Sequence, residues 1–505
     1  MQSIVHQTEG LLYYTLLQVS LIVIVARIAG ETWKASVSHT AGCRSYRIRA
    51  IVESGHVSEP VPILMPARIA DPASHCDVFV LGGGPGGSTI AALLAERGWN
   101  VVIAEKERHP RFHIGESLLP LNILLLRQLG VDEEVKRIGM PKYGAEFNSP
   151  ERGPPVTFDF SQAWDKTYPN ALEVRRSEFD EILFRNCGAK GAHTFEECRV
   201  NKVEFPERED VRIDARLEDG SERTWRARCF VDASGRDTFL ANRFGIKRRN
   251  RFHNSAAIYG HFTGAQRLAG KAAGNISMFW FDHGWFWFIP LLDGTTSVGA
   301  VCWPYYMKSR QTDPTTFFFD TIAMAPKLAE RLRDAKLTDG VTATGNFSYQ
   351  ADRMHGDRHI IIGDAFAFID PVLSSGVMLA MNSAFLGADA VDASLRDAAQ
   401  APALLRKFDR SVRSGLGGFS WFIYRMTQPS IRDMFMHPGN WLRMQEAVLS
   451  LLAGDLFRGK PIHWSLRAFK CLYYFFNLLH PRRSLAAWRH RRRTLREGLP
   501  ATPGS

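Results

Sequence analysis

A glycine-rich turn between a short apolar strand and a helix constrains the fold of this 505-residue chain more than any other feature. The turn contains Gly82, Gly84 and Gly87 in the spacing G-x-G-x-x-G, and Glu105 follows the next apolar segment. The first glycine suits a tight turn, the second lets the backbone approach a pyrophosphate, and the third lets the helix pack on the strand. A helix N-terminus then faces phosphate groups, and the acid accepts a hydrogen bond from a ribose hydroxyl. The sequence therefore predicts a dinucleotide-binding βαβ unit in a doubly wound α/β fold.

The segments around this turn alternate between strand and helix patterns. Apolar runs at residues 77–81 and 100–104 predict strands on either side of a helix over residues 88–97. Alternating apolar and polar residues over 256–301, with many aromatic side chains, predict an antiparallel sheet in a second lobe. A further buried strand is predicted at 359–362, before a long helix rich in small residues.

These patterns predict three parts of the chain. Residues 1–64 are expected to be a non-native or disordered extension. Residues 76–400 are expected to form the cofactor-binding core, with a substrate lobe at roughly 150–230 and 250–345. Residues 401–505 are expected to form a helical C-terminal region that ends in a basic tail.

The N-terminal 64 residues differ in character from the rest. No charged residue occurs from Gly10 to Ala26, and this apolar run is near the lower length limit for a membrane span. A signal peptide fits poorly, because no basic segment precedes the run and no A-x-A site follows it. Met65 lies about a dozen residues before the first predicted strand, so an over-extended start site is the preferred interpretation. A membrane anchor and a buried extra helix are the alternatives.

Two later segments indicate which dinucleotide binds. Gly363 and Asp364 follow the strand at 359–362, where an acid would meet the remote ribose and phosphates of FAD. The segment Val231–Gly235 (VDASG) resembles an additional strand-end turn of flavin monooxygenase folds. No second glycine fingerprint for a nicotinamide cofactor is found, so FAD is predicted rather than NAD. The alternative for Asp364 alone is an N-cap of the following helix.

The segment Gly284–Pro290 contains the motif W-x-W-x-I-P, which places Trp285, Trp287 and Ile289 on one face of a strand. By pattern alone such a face is more often core than functional. The motif is typical of flavin-dependent halogenases, and other segments resemble the same family. These are Phe112–Pro120 (FHIGESLLP), Val174–Asp180 (VRRSEFD) and Phe368–Gly376 (FIDPVLSSG). Over roughly residues 76–460 the chain resembles the phenol- and carrier-substrate branch of this tryptophan-halogenase-like superfamily.

The resemblance implies a fold and an activity. The fold is a Rossmann-like FAD-binding domain of the aromatic-hydroxylase and glutathione-reductase type, with an antiparallel β-sheet substrate lobe and a helical C-terminal region. In this family reduced FAD (FADH2) and oxygen give a C4a-hydroperoxide, which a halide, chloride or bromide, converts to hypohalous acid. A lysine then hydrogen-bonds this oxidant or forms a haloamine, and an electron-rich aromatic ring is halogenated.

The resemblance also implies roles for individual residues. Lys142 matches the catalytic lysine, and the backbone N–H groups of Ser375 and Gly376 match the halide site. Trp285, Trp287 and Pro290 belong to the strand that keeps aromatic substrates away from the flavin. With the glycine turn included, the expected cofactor-binding residues are Gly82, Gly84, Gly87, Glu105, Arg176, Asp364 and Gly376. No metal site is expected.

One departure from the family's pattern concerns the substrate. Members that act on free tryptophan have a glutamate beside the serine of the D-P-x-x-S loop, where this chain has Leu373. They also have G-E-A-T where this chain has Gly115–Leu118 (GESL). Both differences favour a phenolic, pyrrole-like or polyketide substrate, whose activation would come from its own hydroxyl or from a base that the sequence does not identify.

Charge and cysteine content bear on partners and compartment. Much of the net charge of +11 lies near the C-terminus, as in Arg482, Arg483 and the run 489–493. A solvated basic tail is the favoured interpretation, although such a patch also suits an acidic acyl carrier protein, phosphate groups or a membrane surface. A separate flavin reductase is the implied electron source, and no nucleic acid is expected. Seven scattered cysteines without paired spacing indicate a reducing, cytoplasmic location.

Two alternatives to a halogenase remain. A flavin monooxygenase that hydroxylates a ring or epoxidises an alkene would share the whole scaffold, and the W-x-W-x-I-P strand and Lys142 argue against it. A catalytically idle, membrane-docked flavoprotein is the other alternative. Its basis is the apolar N-terminus together with the aromatic and basic C-terminal segment.

Overall fold

The computed structural model describes residues 74–151, 153–250, 253–345, 348–455 and 462–497. The predictions made for residues 1–64, including the apolar run, lie outside this part. No helix among the described residues is both long enough and apolar enough to cross a membrane.

The first part of the chain alternates strands and helices. Its helices are α1 (Pro85–Glu96), α2 (Pro120–Leu129), α3 (Asp132–Ile138), α4 (Arg176–Ala189) and α5 (Phe239–Arg243). Its strands are β1 (His75–Leu81), β2 (Val101–Ala104), β3 (Met140–Lys142), β4 (Gly144–Asn148), β5 (Val156–Asp159), β6 (Ala171–Glu173), β7 (His193–Phe195), β8 (Arg199–Glu204), β9 (Val211–Arg216), β10 (Glu222–Asp232) and β11 (Lys247–Arg249).

The middle part is mainly strand, and the last part is mainly helix. The remaining strands are β12 (Ala256–Thr263), β13 (Ile276–Phe281), β14 (Gly284–Pro290), β15 (Thr296–Cys302), β16 (Lys336–Leu337), β17 (Thr342–Thr344), β18 (Tyr349–Ala351), β19 (His355–Gly356), β20 (His359–Ile361) and β21 (Ala367–Phe368). The remaining helices are α6 (Pro304–Lys308), α7 (Pro314–Ala323), α8 (Pro326–Arg331), α9 (Gly376–Arg396), α10 (Ala401–Ile423), α11 (Pro429–Met436), α12 (Met444–Leu452), α13 (Ile462–Leu479) and α14 (Pro481–Glu497).

The first sheet has a parallel centre in the order β7-β2-β1-β10-β20. Residues 78–81 of the strand β1 are all apolar, as expected for a strand segment covered on both faces. The helix α1 buries its first ten residues, and its small side chains allow close packing. A Cβ atom at Gly86 would lie 3.5 Å from the carbonyl oxygen of Ala380 on α9. This arrangement confirms the predicted βαβ unit and doubly wound fold.

Strands β8 and β9 extend this first sheet, because β9 pairs antiparallel with β10 and β8 pairs antiparallel with β9. The sequence analysis placed residues 150–230 in the substrate lobe, whereas the strands over 199–232 belong to the cofactor-side sheet. An alternating strand pattern predicts a half-buried strand but not the sheet that it joins, which accounts for the difference.

The second sheet has the order β16-β12-β15-β14-β13-β4-β5 and forms the predicted second lobe. Its pairs are antiparallel except β13 with β4, which are parallel. One face, which includes Phe286 and Phe288, packs against Phe317 and Phe318 of α7 in a separate apolar cluster. The opposite face belongs to the main core.

The C-terminal helices cover one end of the second sheet through aromatic contacts. The ring of Phe435 on α11 lies 5.1 Å from Phe147 and 5.4 Å from Phe158, measured between centroids. Phe469 on α13 contacts the same ring at 6.4 Å. Aromatic packing of this kind contributes beyond simple area burial, and it fixes the helical region against β4 and β5.

Candidate functional site

The carboxyl ends of the central parallel strands meet at one cavity of about 430 Å³. Leu81 ends β1, Glu105 follows β2, and Gly363 lies just beyond β20, and all three line it. In open α/β sheets ligands bind at this edge, because the loops there diverge to the two sides of the sheet. The cavity is therefore the expected ligand site of the fold.

The three glycines of the turn have different physical roles. Gly82 has φ +105°, a conformation that L side chains rarely adopt. A Cβ atom at Gly87 would lie only 1.8 Å from the carbonyl oxygen of Gly82, so this glycine is needed for the helix to pack on the turn. Gly84 lines the cavity, and of the residues that the structure describes a Cβ there would meet only Arg111 Nη2, at 3.7 Å. The backbone at Gly84 is thus open to a ligand.

Glu105 is held rigidly at the end of β2. Its Oε2 accepts hydrogen bonds from the Gly83 N–H at 2.8 Å and from Arg111 Nη2 at 3.2 Å. Its Oε1 accepts from the Glu107 N–H at 3.1 Å. The carboxylate lines the cavity and retains one lone pair, on Oε1, for a ribose hydroxyl.

Arg111 is a site residue that the sequence analysis missed. Its guanidinium bridges Glu105 and Asp180 Oδ2, the latter at 3.1 Å, and it lines the cavity beside Gly84. This position suits recognition of a pyrophosphate. The available signal was a single basic residue shortly after the second strand, which no general motif distinguishes from a surface arginine.

Arg176 joins the helix α4 to the segment after β2. Its Nε and Nη2 donate to the two carboxylate oxygens of Asp180, at 2.8 and 3.0 Å, and its Nη1 donates to the Ile114 carbonyl at 3.1 Å. Burial and the nearby Arg176 charge lower the pKa of His113 to about 4, so this imidazole is neutral at pH 7. The arginine thereby shapes the cavity wall that it also lines.

Asp364 lines the cavity inside a short 3-10 turn over Gly363–Ala365. The N-cap of the long helix α9 is Ser375, so Asp364 does not cap that helix. Burial raises the pKa of Asp364 to about 6, against the opposing effect of the Arg176 and Arg236 charges. A desolvated carboxylate that has no direct ion pair within the described part of the chain is suited to accept hydrogen bonds from a polar ligand.

These residues fit FAD. The cavity combines an acid after β2, an open glycine backbone, four guanidinium groups (Arg111, Arg176, Arg199 and Arg236) and a second acid after β20. A Cβ atom at Gly376 would meet no described residue within 4 Å, so the cavity also has free space at the start of α9. When bound, reduced FAD supplies the electrons that activate oxygen; Glu105 and Asp364 would hold its polar groups.

Two tryptophans of β14, a strand of the second sheet, form another part of the cavity wall. Trp285 and Trp287 both line the cavity, with ring centroids 6.2 Å apart. Trp287 packs against Gly299, where a Cβ atom would lie 2.2 Å from the indole ring, and its Nε1 donates to Ser297 Oγ at 3.1 Å. The rings are thus held in place by close packing. Pro290 ends the strand and is buried away from the cavity lining.

The loop before α9 is held by Asp370. Its Oδ2 accepts from Ser255 Oγ at 2.7 Å and lies 2.9 Å from His253 Nε2, while its Oδ1 accepts from the Val372 N–H at 3.2 Å. Ser375, which follows, buries its side chain, and Oγ has no hydrogen-bond partner among the described residues. An orphaned hydroxyl at the N-terminus of a 21-residue helix suits an anion such as a halide.

Lys142 lies outside the cavity lining, behind Ser117. Only 1% of its surface is exposed. Its Nζ donates to Ser117 Oγ at 2.7 Å and to the Leu118 carbonyl at 3.0 Å, and it lies 5.6 Å from the ring centroid of Phe160. Ser117 itself lines the cavity. One residue therefore separates the buried amine from the cavity.

The structure brings most of the predicted site residues together. Those that line the cavity are Gly82, Gly84, Glu105, Arg176, Trp285, Trp287, Asp364 and Gly376. Those that lie behind or beside it are Gly87, Lys142, Pro290 and Ser375.

Comparison with known proteins places the chain in a family. The FAD binding domain family model matches residues 75–413. A 1H-pyrrole-2-carbonyl peptidyl-carrier-protein chlorinase of Pseudomonas fluorescens is 28% identical, over 76% of this chain and 90% of its own. A flavin-dependent halogenase of Armillaria mellea is 35% identical, over 63% of this chain and 68% of its own. The solved myxobacterial chondrochloren halogenase has 34% identity and a TM-score of 0.68, covering 77% of this chain and 92% of its own.

These matches confirm the predicted cofactors, FAD and a halide, and they favour halogenation over the monooxygenase and idle-scaffold alternatives. They agree with the Rossmann-like fold and with the cavity at its strand ends. The chain belongs to the flavin-dependent halogenases, FAD-dependent enzymes that halogenate aromatic substrates.

Proposed function

We propose that Lys142 delivers an electrophilic halogen from the flavin cavity to an electron-rich phenolic or pyrrole-like ring. The observation that carries this proposal is the position of the Lys142 amine, fully buried and hydrogen-bonded to Ser117 at the cavity wall. Burial lowers the pKa of Lys142, although Glu173 opposes the effect. A buried amine of this kind is more readily neutral and nucleophilic than a surface lysine.

The other residues have supporting roles in this proposal. The N–H groups around Ser375 and Gly376 would hold the halide at the start of α9, where the helix dipole favours an anion. The packed rings of Trp285 and Trp287 would exclude an aromatic substrate from the flavin end of the cavity. The substrate ring would instead meet Lys142 on the far side of Ser117.

The substrate and partners are proposed on separate grounds. Leu373 is buried and apolar where tryptophan-type members have a glutamate, which favours a ring activated by its own hydroxyl or ring nitrogen. The relative from Pseudomonas fluorescens is named for a carrier-bound pyrrole. The exposed arginines of α14, including Arg482, Arg489 and Arg492, would attract an acidic carrier protein. A separate flavin reductase would supply the reduced FAD.

Mass spectrometry of products tests the proposal. The full-length chain is supplied with reduced FAD, oxygen, bromide and a panel of phenols, pyrrole carboxylates, their carrier-bound thioesters and tryptophan. We expect a bromine isotope doublet on a phenolic or pyrrole product, and its loss in Lys142→Ala and Lys142→Met. Lys202→Ala, at an exposed ion pair, serves as the control and should keep full activity. Full halogenation by Lys142→Ala would overturn the role of this lysine.

A further inference from the structure

A second charged side chain is buried beside Lys142. Oε1 of Glu173 lies 3.6 Å from Lys142 Nζ, and Glu173 has no exposed surface. The two residues are on the paired strands β3 and β6, where Lys142 faces Ala171 and Met140 faces Glu173. Lys142 and Glu173 are therefore diagonal neighbours on one face, a spacing that long side chains can bridge.

The surroundings leave Glu173 few other partners. Neither of its carboxylate oxygens has a hydrogen-bond partner among the described residues. Ser117, which forms a β-bridge with Glu173, places its hydroxyl on Lys142. Glu116, an acid whose charge acts on Glu173, bonds instead to His261, with 2.7 Å between Oε1 and Nε2. Among the described residues, Glu173 is the one carboxylate within 4.0 Å of the Lys142 amine.

We propose that Glu173 is the proton partner of Lys142, taking a proton from its ammonium before halogen transfer and returning it afterwards. This inference rests on the proposed function of Lys142. It assigns to β6 the carboxylate that tryptophan-type members have beside the serine of the D-P-x-x-S loop, where this chain has Leu373. Glu173 acts through Lys142 and is a positioning residue.

The cycle begins with Lys142 as an ammonium, Glu173 as a carboxylate and a hypohalous acid, written HOX. The proton moves from Nζ to Glu173, which leaves a neutral amine and a carboxylic acid. The amine attacks the halogen, so an N–X bond forms, the O–X bond breaks, and the amine proton and hydroxide leave as water. When the ring carbon takes the halogen, the N–X electron pair returns to nitrogen and Glu173 gives back its proton. The ring C–H proton then passes to the amine, which restores the ion pair.

The electrostatics of the pair support this exchange. Burial raises the pKa of Glu173 to about 8, against the attraction of the Lys142 charge, and burial also lowers the pKa of Lys142. Both shifts move the two pKa values toward each other, because a charge in a dry site lacks solvation, so a proton can pass between the two side chains. The other titratable groups that face the pair are Glu116 and, through it, His261.

The first test measures the protonation of Lys142 without turnover. The enzyme loaded with oxidised FAD and labelled with ¹³Cε-lysine is titrated by NMR, and the Lys142 signal is assigned by its absence in Lys142→Met. In Glu173→Gln the attraction that holds the ammonium is gone, so the midpoint should fall by about 1–3 pH units. If Glu173 contributed only to packing, its replacement would loosen the packing and admit water. The Lys142 midpoint would then move in the opposite direction, up toward that of an ordinary lysine.

The second test measures turnover. We expect Glu173→Gln to lower kcat about 100-fold with little change in KM, because proton transfer and not substrate binding is lost. Glu173→Asp keeps a carboxylate and should restore a large part of kcat. Glu146→Gln is the matched control, since Glu146 is also buried but pairs with Arg331 Nη2 at 2.8 Å. It should leave both the Lys142 midpoint and kcat unchanged.

The outcomes separate this inference from the proposed function. An unchanged or raised Lys142 midpoint in Glu173→Gln, with Lys142→Met inactive, would overturn the role of Glu173 and leave that of Lys142 standing. Full activity of Lys142→Met would overturn the proposed function itself. If Glu173→Gln does not fold, a Glu173→Asp enzyme with a wild-type midpoint and kcat supports the inference, and one as inactive as Lys142→Met contradicts it.

Discussion

His261 and Glu116 share a buried hydrogen bond, with 2.7 Å between Nε2 and Oε1, at the junction of the second sheet and the flavin cavity. Glu116 lines the cavity, and its Oε2 has no hydrogen-bond partner among the described residues. Because both residues act as one unit, we expect their effects on FAD binding to be non-additive. FAD affinities of Glu116→Gln, His261→Phe and the double variant, measured by flavin fluorescence, should give a coupling energy of about 1 kcal/mol or more. Additive effects would contradict this coupling.

Valine substitutions at Gly84 and Gly87 should have different effects, one on flavin binding and the other on folding. Gly84→Val should fold normally but purify without flavin, because the new side chain meets only Arg111 and occupies the backbone approach to the pyrophosphate. Gly87→Val should lower the melting temperature or abolish folding, because its Cβ would overlap the Gly82 carbonyl oxygen. Circular dichroism melting and the flavin absorbance of purified protein distinguish the two. A flavin-loaded Gly84→Val would refute the placement of the pyrophosphate.

The parts of this protein that were predictable from sequence depend on local patterns. The strand, glycine turn and helix around Gly84 form a continuous segment, and each residue type has a backbone reason for its position. The faces of β14 follow from simple alternation, so Trp285 and Trp287 could be placed together. The family resemblance then supplied the cofactor and the reaction, which local physics alone does not specify.

The parts that were missed depend on contacts between distant segments. Arg111 pairs with Asp180, and Lys142 pairs with Glu173. Neither pair of positions has a fixed spacing in the sequence, so neither contact could be predicted. The strands over 199–232 were assigned to the wrong lobe for the same reason, since pairing partners are set by tertiary packing. The proton partner that we propose for Lys142 is the clearest example. Its carboxylate comes from β6, far from the D-P-x-x-S loop.

Asp364 should affect both the affinity for FAD and the pH dependence of the apo-protein's stability. Its folded-state pKa of about 6 exceeds the ordinary aspartate value, so the folded apo-protein holds this proton more tightly than the unfolded chain. Ionisation above pH 6 therefore costs the apo-protein about 3 kcal/mol. We expect Asp364→Asn to raise the melting temperature of the apo-protein at pH 7.5 and to weaken FAD binding. The stability gain should shrink as the pH falls through 6. A loss of apo-protein stability at pH 7.5 would contradict this account.

Asp370 should control the affinity for halide without contacting it. Its bonds to Ser255, His253 and the Val372 N–H hold the turn that precedes Ser375. Hydrogen bonds to a charged group contribute about 1.5–3 kcal/mol each, so Asp370→Ala should raise the KM for bromide by about 10-fold or more. Ser255→Ala removes one of these bonds and should have a smaller effect in the same direction. FAD affinity should change little in either variant, because neither side chain lines the cavity. A normal bromide KM with a reduced kcat would show that the loop does not position the halide.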